Sequence, residues 1–201
     1  MNQHPDYQCF LDMDGVLVDW NKGTHILHGL SWEEKRWPYE FGPGGWYFYK
    51  HGLGMSTSEL FNGQDRKFWA DLDWTPYGRD VLAVCEKYFG NTVCLLTSPF
   101  DQPGVVDGRK DWIKREMPEY TKRHLIGDYK NACAHPKAIL IDDCQNNIDE
   151  WVKAGGLGVL LPRPYNNSHP TWSRPDFVES LWLDQALEQC LYRGAVPVCK
   201  K

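Results

Sequence analysis

The chain has no run approaching the ~20 consecutive apolar residues that a bilayer-spanning helix needs. No transmembrane segment is therefore expected. It also lacks basic excess: 22 Lys and Arg against 27 Asp and Glu give a formal charge of −5. That removes the electrostatic footprint of a duplex-binding or anionic-membrane protein, and it disfavours a long polynucleotide as substrate. A small anionic substrate stays open, because a metal ion and a few local donors override a mildly negative surface. The seven cysteines have no paired spacing and are odd in number. Without a disulfide framework, reduced thiols in a cytoplasmic protein are expected. The opening Met-Asn-Gln-His-Pro-Asp has no charged-then-apolar layout of a signal peptide, so the glycosylation-like Asn166-Asn167-Ser168 carries no weight. Internal repeats and low-complexity tracts are also missing.

Aromatic residues, by contrast, are abundant. Ten tryptophans stand in 201 residues, many of them between Trp20 and Trp74, with Tyr39, Phe41, Tyr47, Phe48, Tyr49, Phe61 and Phe68 interspersed. Most should be core, though a cluster this dense can include one or two rings that stack on a substrate. With 42% apolar and 24% charged residues the composition is that of a globular protein. Its length suits one core with an inserted lobe.

Four strand-sized apolar runs stand out, Tyr7–Leu11, Thr92–Leu96, Ala138–Ile141 and Leu157–Leu161, with Arg123–Ile126 a weaker fifth. Helical patterns over Tyr77–Phe89, Gly108–Glu116 and Asn147–Ala154 alternate with them, the last closing at Gly155-Gly156. This alternation predicts an α/β, Rossmann-like parallel sheet with helices on both faces. Residues 19–74 break the rhythm and read as an inserted, mainly helical cap. We expect residues 1–18 and 75–170 to form the core, and 171–201 a C-terminal helix (Asp176–Tyr192) and tail.

Ligands of open α/β sheets bind beyond the carboxyl ends of the strands. Here those ends carry Asp12 and Asp14, then Thr97 and Ser98, then Asp142 and Asp143. Four converging carboxylates raise one another's pKa and need a cation. Hard oxygen ligands with few His or Cys nearby favour magnesium over zinc. Asp12 could then attack a phosphorus atom, with the metal neutralising the phosphoryl charge. Asp14, two residues on and on the same face of an extended segment, could protonate the leaving oxygen and later deprotonate water. Thr97 and the amide after it could bind the phosphoryl group. A lysine would complete the charge balance, and Lys110 at a helix start is the candidate.

Other readings of the same residues are weaker. A calcium loop would need a closing Glu about twelve positions from its start; Asp19 and Asn21 are near, but that Glu is missing. A dehalogenase would have no need of Asp14. Cys133, His135 and Cys144 lack the spacing of a zinc site. Glu33-Glu34 and Lys35-Arg36 read as a solvated helix face, and His25, His28 and His51 as structural. Phe68 and Trp69 are either core or a substrate platform. Tyr165 to His169 reads as a loop.

Asp12-Met13-Asp14-Gly15-Val16, Leu96-Thr97-Ser98, Lys110 and Ile141-Asp142-Asp143 resemble, in order and spacing, the four motifs of the haloacid-dehalogenase-like phosphatase superfamily. Within it the chain is most similar to the 5'(3')-deoxyribonucleotidases, through Phe68-Trp69-Ala70-Asp71-Leu72, Leu95-Leu96-Thr97-Ser98-Pro99, Trp112-Ile113 and Leu140-Ile141-Asp142-Asp143. The resemblance implies an aspartyl-phosphate on Asp12, with Asp14 as acid/base. It implies magnesium held by Asp12, the Asp14 carbonyl and Asp143, with Asp142 in support, and phosphate held by Thr97, Ser98 and Lys110. In that family the lysine stands three residues before the tryptophan, where this chain has Arg109. The substrate implied is a small phosphorylated metabolite, foremost a nucleoside or deoxynucleoside monophosphate. A sugar phosphate, a nucleic-acid phosphate end and a non-catalytic binding role are the alternatives.

Overall fold

The computed structural model describes residues 4–32, 45–174 and 177–193. Glu33 to Arg36, residues 37–44 of the expected cap, Asp176 at the expected start of the last helix, and 194–201 lie outside them. In chain order come β1 (Gln8–Leu11), α1 (Trp20–Leu27), the short α2 (Gly45–Tyr47) running into a π-turn (Phe48–Gly52), α3 (Thr57–Phe61), α4 (Arg66–Asp71) and α5 (Gly78–Phe89). There follow β2 (Val93–Thr97), α6 (Val105–Glu116), β3 (His124–Ile126), β4 (Ala138–Asp142), α7 (Gln145–Lys153), β5 (Leu157–Leu160), α8 (His169–Trp172) and α9 (Glu179–Arg193). Short 3-10 turns lie at Gly90–Thr92, Pro118–Tyr120 and Lys130–Cys133.

The five strands form one parallel sheet in the order β3-β2-β1-β4-β5, the α/β Rossmann-like class expected from the alternation. Both faces are buried except along the edge strand β3, and side chains alternate between them with the period of a strand. On β1, Cys9 and Leu11 join one apolar cluster while Phe10 joins the other. On β4, Ile139 and Ile141 oppose Ala138 and Leu140 in the same way. One face is covered by α5, through Val81, Cys85, Tyr88 and Phe89, and behind it by Leu183, Leu187 and Cys190 of α9. The other face packs on Ile148 and Trp151 of α7.

Helix limits follow local chemistry. Asp19 caps α1 by accepting from the Lys22 amide at 3.0 Å. Ser56 and Glu59 form a reciprocal capping box at the start of α3, and Asp65 caps α4. These devices satisfy amides that a helix leaves unpaired at its first turn.

The described part of residues 19–74 is helical and turn-like, with no strand. It is not detached from the sheet layer. Helix α4 lies along α6, where Gly108 leaves room for the Trp69 side chain and the Arg66 carbonyl. The Trp112 indole donates to the Leu72 carbonyl at 2.8 Å. Among the described residues, no helix is long and apolar enough to cross a membrane.

Candidate active site

The register of the sheet builds the site. Leu11 is level with Ile141 across the β1–β4 pair, so Asp12 and Asp142 emerge side by side at the carboxyl ends. Asp143 follows directly, and Thr97 closes β2 on the other side of β1. One oxygen from each of Asp12, Asp142 and Asp143 lies within 4.8 Å of the others, and all three residues are buried.

The cation among them is Lys130. Its ammonium lies 2.7 Å from Asp12 Oδ1 and 2.7 Å from Asp142 Oδ2. Lys110, the lysine expected from the sequence, is exposed on α6 and is absent from the described cavity lining. The reason is helical geometry: Arg109 occupies the inward face of α6, which turns its neighbour out to solvent. Arg109 is only 2% exposed. Its guanidinium pairs with the Asp14 carboxylate, donates to Thr97 Oγ1 at 2.6 Å and to the Ser98 carbonyl at 3.4 Å, and lies 4.8 Å over the Trp69 ring.

Asp142 and Asp143 divide in environment. Asp142 accepts from Lys130, from the Asn147 amide group at 2.9 Å and from the Cys144 backbone at 2.8 Å, so its oxygens are heavily engaged. Asp143 Oδ2 accepts from the Tyr165 hydroxyl at 2.6 Å, and Asn166 holds the Asp143 carbonyl at 2.8 Å. The segment after β5, which reads as a loop in the sequence, thus reaches into the site. Nearby, Arg163 donates to the Gly15 carbonyl at 2.6 Å and pairs at 2.9 Å with Glu179 of α9. Gly15 itself has φ +76°, and a Cβ there would overlap Asp143 Oδ2. That turn therefore needs glycine twice over.

Crowding of like charge shows in the acidities. Burial and the neighbouring Asp142 carboxylate push the Asp12 carboxyl well above the usual range, against the pull of Lys130. Asp143 is pushed up to about 7, mainly by burial and then by Asp142. Burial also raises Asp14, a rise that Arg109 opposes. Asp14 Oδ1 is buried without a hydrogen-bond partner. Among the described residues, Lys130 and Arg109 pair directly with Asp12, Asp142 and Asp14, and the remaining excess of buried carboxyl oxygens fits a hard divalent cation such as magnesium.

The carboxylates floor a cavity of about 210 Å³. Thr97, Ser98, Pro99 and Phe100 line one wall, Lys130, Cys144 and Asn147 another, and Trp20, Asn21, Gly45 and Trp46 close it from the inserted segment. Neither Phe68 nor Trp69 appears in that lining. Trp69 is core, stacked on Trp20 and bonded through its indole to the Gln64 carbonyl at 3.1 Å. Phe68 faces a separate groove with Ile26 and Leu27. Both belong to packing rather than to the cavity, since α4 turns their rings toward α1 and the interior. Among the described residues, the aromatic rings that line it are Trp20, Trp46 and Phe100. His25 stacks on Phe48 and lies 2.6 Å from the Tyr49 hydroxyl, and His28 contacts the Leu60 carbonyl. Cys133, His135 and Cys144 form no metal-binding group among the described residues.

No protein-family model matches the chain, and no curated protein does. Solved structures do. A haloacid dehalogenase-like family hydrolase from Streptococcus pneumoniae superposes with a TM-score of 0.51 at 14% identity, covering 88% of this chain and 96% of that one. A HAD family hydrolase from Deinococcus radiodurans R1, solved with bound phosphate and sodium, gives 0.52 at 12% identity over 92% and 96%. The chain has the haloacid dehalogenase-like fold.

Proposed function

We propose that this chain, whose fold is that of the haloacid dehalogenase-like hydrolases, is a magnesium-dependent phosphomonoesterase that acts through an aspartyl-phosphate on Asp12. The observation that carries the reading is the placement of Asp12: buried at the end of β1, held by Lys130, flanked by Asp142 and Asp143, and facing a cavity. Magnesium would be held by Asp12, the Asp14 carbonyl and Asp143, with Asp142 in support. When bound, it supplies charge neutralisation at the phosphoryl oxygens. The saturation of Asp142 by three donors supports that division between the paired aspartates.

The side chains can carry the remaining steps. An Asp12 oxygen attacks phosphorus in line as the bond to the leaving oxygen breaks, and Asp14 gives that oxygen its proton. Asp14 then takes a proton from water as the water oxygen attacks the acyl phosphate, releasing inorganic phosphate and restoring Asp12. Burial, which raises Asp14, suits the acid step, and the Arg109 pair suits the base step. We assign the phosphoryl group to the Thr97 hydroxyl, the Ser98 segment and Lys130, which line the cavity, with Arg109 buried behind Thr97 and Asp14. In this reading Lys130 takes the part expected of Lys110.

The substrate we infer is a small phosphorylated metabolite, a nucleoside or deoxynucleoside monophosphate foremost, with residues 19–74 acting as the cap over it. The likeness of Phe68–Leu72 and Leu95–Pro99 to the 5'(3')-deoxyribonucleotidases and the aromatic cavity wall support this. A sugar phosphate is the second reading, favoured by the small volume of the cavity.

Release of phosphate from an aryl phosphate with magnesium tests the chemistry. Asp12→Asn should lower the rate by about 10³-fold or more, and equal rates in the two proteins would refute the mechanism. Nucleoside 5'- and 3'-monophosphates assayed beside sugar phosphates would then rank the substrate classes.

A further inference from the structure

Asn21 is the one strongly buried neutral polar side chain, among the described residues, that the inserted segment contributes to the cavity. It stands one residue after Trp20 on α1 and is only 5% exposed. Its backbone is pinned: the Asn21 carbonyl accepts from the Tyr49 hydroxyl at 2.9 Å and lies 3.0 Å from His25 Nδ1. The side-chain oxygen, in contrast, is buried and has no hydrogen-bond partner. A buried acceptor left unmade costs free energy that an apolar residue of the same shape would not. Packing alone gives no reason to keep it. Gly45, across the cavity roof, makes room for the carboxamide, since a Cβ at 45 would overlap Asn21 Oδ1. The surrounding walls are the rings of Trp20, Trp46 and Phe100.

We propose that Asn21 is a specificity-determining residue, whose carboxamide oxygen accepts a hydrogen bond from a hydroxyl or amino group on the leaving group of the phosphate ester. This rests on the phosphomonoesterase reading. The aromatic walls accept the apolar body of the leaving group, and Asn21 selects for a donor on it. A site built to bond a donor rejects the analogue that lacks it, because its own buried polar atom is then left unpaired.

The test uses two matched pairs of esters on the whole protein with magnesium: 4-aminophenyl against phenyl phosphate, and glycerol phosphate against propyl phosphate. Wild type should prefer the donor-bearing member of at least one pair by about tenfold or more in kcat/KM. In Asn21→Leu that ratio should fall toward one. The pair in which it falls tells whether the donor rides on a ring or on a chain. Gly45→Ala, which displaces the carboxamide without removing it, should lower the same ratio. A purely structural role would slow both members together and leave the ratio intact, and that result would overturn the assignment. So would the absence of any preference in wild type. Inertness of wild type toward all four esters would instead bring down the phosphatase reading on which the assignment stands.

Discussion

Lys130 sits 2.7 Å from two buried carboxylates, and few single changes here should matter more. Lys130→Met would leave Asp12 and Asp142 without their shared counter-ion. Breaking a buried pair from one side costs about 3–5 kcal/mol, whereas Lys110→Ala, on the exposed face of α6, should stay within about 0.5 kcal/mol. Urea unfolding of the two variants in chelator separates these expectations, and a larger loss in Lys110→Ala would refute them. Acidity at the same cluster gives a second prediction. In metal-free protein the carboxyls of Asp12 and Asp143 lie above their unfolded values, Asp143 at about 7. The folded state then binds more protons than the unfolded chain from about pH 4 to pH 7, so stability falls as pH rises through that window. Thermal midpoints in EDTA should drop between pH 5 and pH 8, and magnesium should flatten the slope. A midpoint that rises over the same interval in EDTA would contradict the sign.

At the scale of elements, function depends on where strands stop and how the next turn is held. The turn after β1 requires glycine at 15, with φ +76° and an Asp143 oxygen where a Cβ would go. Gly15→Ala should therefore reduce magnesium affinity, read by isothermal titration, by about tenfold or more through the displaced Asp143. Unchanged affinity would mean that the turn does not set that carboxylate. This level of structure was largely legible in the chain. Apolar runs bounded by polar residues mark β1, β2, β4 and β5, because a strand buried on both faces leaves a continuous apolar trace, whereas the half-exposed β3 leaves only a weak one. Their ends then led to Asp12, Thr97 and the Asp142-Asp143 pair. Lys130 is not legible because it lies in a four-residue 3-10 turn, which has no periodic signature, and because the family resemblance places the lysine near Trp112. The same strand-end rule applied to the weak run Arg123–Ile126 leads within four residues to Lys130. Tyr165 and Arg163 escaped for a related reason: a loop gains its role from tertiary contact that composition does not encode. Phe68 and Trp69 show the reverse, a motif whose rings the fold spends on packing.

Over the whole molecule, the last described helix is tied to the turn after β1 through one buried ion pair. Arg163, 4% exposed, reaches the Gly15 carbonyl with Nε and Glu179, 1% exposed, with Nη1. Glu179 is the first residue of α9, which itself packs on α5 through Leu183 and Leu187. The pair joins the sheet edge, the turn carrying Asp14 and the last helix into one body. Its net worth is set by desolvation as much as by attraction, since both charges leave water. Burial indeed raises the Glu179 carboxyl despite the arginine beside it. Glu179→Leu alone would strand a buried guanidinium and should destabilise by about 3–5 kcal/mol. Arg163→Met alone should do the same by stranding the carboxylate. The double variant should recover most of that loss, because an apolar pair of similar volume is often neutral. Activity should not follow stability. The Gly15 carbonyl loses its donor in Arg163→Met whether or not Glu179 is present, so phosphate release should stay low in the double variant as well. A double-mutant cycle scored by both urea unfolding and turnover checks this, and recovery of turnover together with stability would show that the ion pair braces the fold without positioning the site.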